Sequence, residues 1–223
     1  MHRKKNKNIL LYFILFIFLG SIHNQILSKN NLLEIKYIKV FGLQDYENEK
    51  IIDDLNFLKF KNLYFINQND IKNILELNNL IESYSVFKQF PSTLIIEIKK
   101  AELLANTYKD GTNYLIGSNG KLIKSENKNN QKPFLFGNFK NEEFLKLKNI
   151  ISKSKLDFKE IKKFYYFDSG RWDIEIENGL LIKLPEKNLI KAINLSKDLI
   201  TNKKFKNLKV IDIRVKNQVI LNE

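Results

Sequence analysis

Residues 81–100 read IESYSVFKQFPSTLIIEIKK. Pro91 and Ser92 divide the stretch into two extended segments. In the second, Leu94, Ile96 and Ile98 recur at every other position, the two-residue period of a half-buried strand. In the first, Val86 lies on one side of a segment that ends in Phe90. A turn residue pair between two such segments predicts a β-hairpin, and the chain before it supplies what the hairpin packs against.

Working outward, LEIKYIKVFG alternates like a strand, with Ile38 and Val40 on one face and Tyr37 and Lys39 on the other, and it ends at Gly42. ENEKIIDDLNFL shifts to helical spacing, placing Ile51, Ile52, Leu55 and Leu58 on one side. After the loop KFKNLYFI, the stretch INQNDIKNILEL predicts a second helix. Asn67 is its N-cap, Asp70 the carboxylate three residues on, and Ile71, Ile74 and Leu75 its apolar face. The order β-α-α-β-β predicts a small sheet with two helices on one face.

This order resembles the POTRA domain. The residues that carry the likeness are Ile38-x-Val40-x-Gly42, Tyr64-Phe65, and Val86-Phe87-Lys88-Gln89-Phe90-Pro91-x-x-Leu94-x-Ile96. The last run is similar to the V-x-r-x-W-P-x-t-L-x-I signature of the FtsQ/DivIB family of bacterial division proteins. Phe90 stands where that signature has Trp, which implies an aromatic plug at this position. The family's E-R-x-P-x-A continuation is replaced here by Lys99-Lys100-Ala101-Glu102-Leu103-Leu104.

Beyond residue 102, TNYLIGSNGKLI predicts a hairpin around Ser118-Asn119-Gly120, and NEEFLKLKNIISKSK a helix with Asn141 as cap and Phe144, Leu147 and Ile151 inward. In GRWDIEIENGLLIKLP, residues 170–185, Trp172, Ile174 and Ile176 alternate with Arg171, Asp173 and Glu175. A two-residue Asn178-Gly179 turn would set Leu180, Ile182 and Leu184 against acids. A three-residue loop, Glu177-Asn178-Gly179 with Gly179 left-handed, instead sets Ile176 against Leu180, Ile174 against Ile182, Trp172 against Leu184 and Asp173 against Lys183. Trp172 is then a core plug and Arg171 points to the wet face. EKNLIKAINLSKDLI predicts a helix with Leu189, Ala192, Ile193 and Ile200 inward. LKVIDIRVKNQVIL predicts a strand, a polar break at Lys216-Asn217-Gln218 and a short last strand. Arg171-Trp172, Asn178-Gly179, Leu184-Pro185 and Asp212-Ile213-Arg214 form a second FtsQ/DivIB-like series, in order.

At the N-terminus, Arg3, Lys4, Lys5 and Lys7 precede the uncharged apolar run Ile9–Ile22. A cleaved signal peptide would have such a core, but no A-x-A-like site follows it. The alternative is an uncleaved anchor over 9–27, ~28 Å long as a helix and close to the hydrocarbon thickness. The basic flank keeps residues 1–8 cytoplasmic and sends the rest outside. The expected class is therefore α+β: a transmembrane helix over 9–27, a POTRA domain over 33–101 and a mixed β-sheet domain with flanking helices over 102–223.

The net charge is +13, with 38 basic residues of which only Arg3, Arg171 and Arg214 are Arg. The lysines are spread evenly, without the dense patch or Arg-aromatic run of a nucleic-acid binder, so no nucleic acid is expected. The absence of cysteine excludes disulfides and thiolate metal sites. His2 and His23 both lie near the N-terminus, outside the expected folded domains. Asp173 with Glu175, and Asp53 with Asp54, are carboxylate pairs, but solvated faces with lysine neighbours account for them. No catalytic residue, cofactor or metal is expected, and the chain is not expected to be an enzyme.

The resemblance implies a non-enzymatic single-pass scaffold at the division septum, with its two domains periplasmic and its anchor in the inner membrane. FtsB-like and FtsL-like partners would be held by strand addition at the C-terminal sheet edge. The expected partner surface is Arg171, Arg214, Val215, Lys216, Asn217, Gln218, Val219 and Ile220, continuing to Leu221. Arg214 pairing internally with Asp212 or another acid is the competing expectation. A different class of role is a POTRA-containing assembly factor for outer-membrane or secreted proteins, but the C-terminal barrel or repeated POTRA copies that go with it are not visible.

Overall fold

The protein is described by a computed structural model that covers residues 3–22, 33–125, 131–202 and 207–222. Helix α1 (Arg3–Ile22) contains the N-terminal apolar run, and Ile9 to Phe18 are exposed. The span expected over 9–27 is met only in part. Residues 23–27 lie outside the described residues, and among the described residues no helix is long and apolar enough to cross a membrane. The chain divides into two compact units, Met1–Leu75 with Tyr84–Ile98, and Glu76–Ser83 with Lys99–Glu223.

In the first unit the chain runs through β1 (Tyr37–Phe41), α2 (Asp45–Asp54), α3 (Gln68–Leu77), β2 (Ile81–Gln89) and β3 (Thr93–Lys100). This is the β-α-α-β-β order that the periodicity predicts. β3 is central, with β2 on one side and β1 parallel to it on the other, so that Ile38 sits opposite Leu94 and Val40 opposite Ile96. These residues are buried together with Ile98, Ile51, Leu55, Ile71 and Leu75. α2 starts where the Glu47 carboxylate accepts from the Gln44 amide at 3.0 Å, satisfying one orphan donor. α3 starts where Asn67 accepts from the Asn69 amide at 3.0 Å. Gly42, at φ +111, must be glycine, because a Cβ there would lie 1.8 Å from the Ile98 carbonyl oxygen.

One expectation fails in this unit. Phe90 is no plug: it is 55% exposed in the turn beyond β2. The motif position is an end of the hairpin rather than its middle.

The second unit is built on a nine-stranded sheet. Its strands are β4 (Leu103–Lys109), β5 (Thr112–Gly117), β6 (Leu122–Lys124), β7 (Phe134–Phe136), β8 (Ile161–Tyr166), β9 (Trp172–Ile176), β10 (Leu181–Lys183), β11 (Val210–Asp212) and β12 (Ile220–Asn222). Their spatial order is β12-β11-β10-β9-β8-β7-β4-β5-β6, which leaves β12 at one edge. Helices α4 (Asn141–Ser152) and α5 (Leu189–Thr201) supply Phe144, Leu147, Ile151, Ala192 and Ile193 to the core. The cap of α4 differs from expectation. Lys140 occupies the N-cap position, its amide satisfied by Glu143 at 3.0 Å, while Asn141 donates to the Gly120 carbonyl at 2.7 Å.

The β9–β10 hairpin has the register of a three-residue loop. Ile174 pairs with Ile182 and Asp173 with Lys183, the Ile176 amide donates to Leu180, and Gly179 sits at φ +84. Trp172 is 4% exposed, among Phe139, Phe144, Phe164 and Tyr166 at ring separations of 4.8–6.5 Å. Sequence patterning missed β4, β7 and β8. The β4–β5 turn carried a clear signal in Asp110-Gly111, both of which have positive φ, as a two-residue hairpin turn requires.

Candidate docking site at the sheet edge

Register alone brings charges together at the β12 end of the large sheet. The antiparallel pair β9–β10 sets Asp173 opposite Lys183, and the parallel pair β10–β11 sets Lys183 opposite Asp212. Alternate residues of a strand face one way, so the three charges form a row of alternating sign on the face opposite the Trp172 core. A neighbouring row holds Glu175, whose carboxylate accepts from Lys163 at 2.9 and 3.1 Å and from the Tyr165 hydroxyl at 2.7 Å.

Arg171 and Arg214 clasp the ends of the charged row. Arg171 Nε donates to Asp173 Oδ1 at 3.2 Å, and its guanidinium lies 4.2 Å above the Phe167 ring. Arg214 follows β11 and turns back on it. Its Nε donates to both Asp212 oxygens at 2.8 and 3.0 Å, its Nη2 to Oδ2 at 2.6 Å, and its backbone amide to Oδ1 at 3.1 Å. The competing expectation of internal pairing therefore holds for Arg214. Two guanidinium nitrogens make this contact with near-parallel bonds, a geometry that the single ammonium nitrogen of a lysine cannot reproduce.

Two carboxylates in this row are shifted in opposite directions. Hydrogen bonding from Arg214 outweighs burial and holds Asp212 below the usual carboxylate range. Burial raises Asp173, and the charges of Arg171, Lys183 and Arg214 offset it only in part. Asp173 is 3% exposed, which corrects the expectation of a solvated face. Strand β8 and the Arg171–Phe167 stack enclose it, and neither is visible from the local alternation.

Beside this row opens a groove of about 1060 Å³. Its walls are Arg171, the β10–α5 connection, the first turns of α5 and the β11–β12 connection. Arg171, Lys187, Lys191, Arg214 and Lys216 face it, against Glu186 as the acid among the lining residues. Ile213, Val215, Val219 and Leu195 add apolar wall. The groove thus gathers seven of the eight residues expected to bind a partner, and Ile220 begins the adjacent edge strand. The polar break expected at Lys216-Asn217-Gln218 is present, closed by the Gln218 amide on the Val215 carbonyl at 3.2 Å with Asn217 at φ +60, but the β11–β12 connection is longer than expected and takes in Arg214, Val215 and Val219 as well. Lys187, Lys191 and Phe167 were not anticipated. Only Lys191 lies on α5, while Lys187 precedes it in the β10–α5 connection, so no helical spacing marked the pair in the sequence. Among the described residues no group of three or more His, Cys, Asp or Glu side chains could hold a metal ion.

Two family models match the chain in tandem. The one described as POTRA domain, FtsQ-type, covers residues 33–100, and the one described as cell division protein FtsQ/DivIB, C-terminal, covers residues 105–214. A cell division protein DivIB of Clostridium botulinum (strain Hall) is 30% identical over 216 residues, spanning 87% of this chain and 84% of its own. The chain belongs to the FtsQ/DivIB family of cell division proteins. A cell division protein FtsQ of Rickettsia bellii is 28% identical over 192 residues, covering 83% of this chain and 70% of that one. The extracytoplasmic domain of DivIB from Geobacillus stearothermophilus aligns with 42% of this chain at 14% identity and a TM-score of 0.33, a likeness too slight to carry weight. The FtsQ/DivIB C-terminal match stops at Arg214, so Val215 to Val219 and all of β12 lie beyond it.

Proposed function

We propose that this FtsQ/DivIB-family chain is a non-enzymatic, single-pass scaffold of the division septum. Its apolar segment over 9–27 anchors it in the inner membrane, with the basic tail cytoplasmic and both units periplasmic. FtsB-like and FtsL-like partners add a strand to the edge of β12. A more acidic part of the same partner lies in the basic groove beside Arg171, Arg214, Val215, Lys216, Asn217, Gln218 and Val219, with Ile220 at the junction. The carrying observation is the continuity of these two features: edge strand β12 follows directly on the loop that walls a groove bearing five basic side chains and one acid. A sheet edge gives main-chain hydrogen bonds without sequence preference, and the adjacent charges would supply selectivity and register. Among the described residues, Asp173 is the only hydrogen-bond partner of the Arg171 side chain, so its terminal nitrogens keep donors for an incoming carboxylate.

The test is capture of FtsB-like and FtsL-like partners from membranes by the full chain and by Arg214→Glu. Charge reversal is expected to weaken capture about tenfold or more, with circular dichroism unchanged. Undiminished capture by a folded Arg214→Glu chain would sink the groove assignment. Depletion should give filamentous cells, and normal septation on depletion would sink the division-scaffold role.

A further inference from the structure

One pole of the first unit is unusual, and the topology defines it without ambiguity. β1 and β3 run parallel from a common start, with Tyr37 opposite Thr93. The β2–β3 turn is tied to that start by the Lys36 and Tyr37 amides, which donate to the Ser92 carbonyl at 2.9 and 3.3 Å. The loop between α2 and α3 joins them. Ile35 donates to Lys61, Phe60 to Ile35 and Leu63 to Leu33, while Lys88 Nζ reaches the Tyr64 carbonyl at 2.8 Å. Segments 33–37, 57–65 and 88–92 therefore form one end of the unit. Tyr46, at the start of α2, marks the other, and α3 runs away from the pole toward Leu77, which the division of the chain assigns to the second unit.

Large apolar side chains stand outward at this pole. Phe60 is 78% and Phe65 79% exposed, and Phe57, Tyr64, Phe90 and Leu33 are exposed as well. Phe60 also holds a left-handed backbone, at φ +69, a conformation that costs a bulky residue energy. The hydrogen bonds that pin residues 60–63 to the entering chain maintain that strain, with the ring pointing out. Lysines 36, 59, 61 and 88 stand among the rings. Lys61 lies 4.8 Å above the Phe57 ring and 3.6 Å from Asp70, and Glu34 is the other nearby acid. Exposed aromatic rings interleaved with lysines are the composition of a membrane-interface surface, where rings sit at headgroup level and lysines meet anionic lipid.

The chain itself brings this pole to such a surface. Six peptide steps separate Leu27, the end of the apolar segment, from Leu33, and fully extended they reach at most roughly 20 Å. We propose that this pole of the first unit, centred on Phe60, Tyr64, Phe65 and Phe90, seats in the headgroup layer of the bilayer and so sets the unit's height and tilt above the membrane. This rests on the membrane-anchor reading given under the proposed function.

The natural chain has no cysteine, so single-cysteine variants of the full chain each carry one label site. Phe65→Cys and Phe60→Cys at the pole, and Tyr46→Cys and Leu77→Cys away from it, would be labelled with an environment-sensitive fluorophore. The chains would be reconstituted in vesicles of equal parts phosphatidylcholine and phosphatidylglycerol, with and without a headgroup-proximal lipid quencher. The expected result is a blue shift and quenching for the two pole sites and neither for the two distal sites, weaker in pure phosphatidylcholine. Unquenched pole labels in a chain that resists carbonate extraction would overturn the pole assignment while leaving the anchor intact. Release of the chain by carbonate would overturn the anchor, and the pole assignment with it. A blue shift that follows protein concentration without lipid quenching would assign the pole to a second copy of the chain and overturn the proposal.

Discussion

The two units use aromatic residues in opposite ways. Every buried hydrophobic side chain from Ile35 to Ile98 is aliphatic, while the rings of that span, Phe60 and Phe65 among them, stand at its surface. In the second unit Phe144, Phe164 and Trp172 are buried and meet edge-on or tilted, at centroid separations of 5.6–6.5 Å. A three-stranded sheet under two ten-residue helices leaves a thin interior that branched aliphatic side chains fill. The broad sheet packed with α4 and α5 forms a larger core, in which three rings stand among aliphatic side chains. Residue type alone therefore says little about role here, and burial decides it. The comparison breaks first at its largest contrast. Trp172→Ala should cost about 3–5 kcal/mol, whereas Phe65→Ala should stay within about 0.5 kcal/mol, both read from urea unfolding followed by circular dichroism. Comparable losses at the two positions would mean that the rings of the first unit are structural after all.

How far this contrast could be foreseen depends on the span over which a pattern must be read. The β9–β10 register followed from the thirteen residues Trp172 to Leu184, because a shift of one position would have set three apolar residues against acids. The β-α-α-β-β order followed from changes of period along the chain. Phe90 was misjudged because alternation tells which face a residue takes but not where along the strand the helices cease to cover it. Asp173 was misjudged because its enclosure comes from β8 and Phe167, elements whose pairing is fixed only in three dimensions. The partner-binding residues were legible as a set. Their grouping in one groove with Lys187 and Lys191 was not, since it depends on α5 returning beside the β11–β12 connection.

A smaller effect tests the charged row of the second unit by pH. Asp212 has a lowered carboxyl in the folded chain, so its stabilising contribution is fully present above the unfolded value of about 3.9 and is lost as pH falls through the depressed folded value. Asp173 is raised, chiefly by burial, so its ionisation opposes folding, and that cost is relieved as pH falls from its raised value toward about 3.9. Acidification should therefore remove a penalty first and a stabilising clasp second. Thermal unfolding across a pH series measures both. Asp173→Asn should abolish the early gain, and Asp212→Asn should reduce the later loss, to which the lowered carboxyls of Glu82 and Glu175 also contribute. If Asp212→Asn leaves the acid limb unchanged, the Arg214 clasp is not held in solution, and Asp173 alone remains as the enclosed charge of the second unit.

The smallest effect sharpens the first unit's side of the contrast. A left-handed non-glycine residue costs roughly 1–2 kcal/mol, and glycine in its place gives back about 0.5–1 kcal/mol through the greater freedom of the unfolded chain. The Phe60 ring is mostly in water, so its removal forfeits little burial. Phe60→Gly should accordingly raise stability by about 0.5 kcal/mol in detergent-solubilised chain, measured by urea unfolding against the natural sequence. The gain should come with weaker contact of the pole with lipid, because the strained aromatic is held outward for a surface that detergent removes. A loss of stability beyond about 1 kcal/mol would show that the ring packs within the first unit. It would also remove the strongest reason for treating that pole as an outward-facing surface.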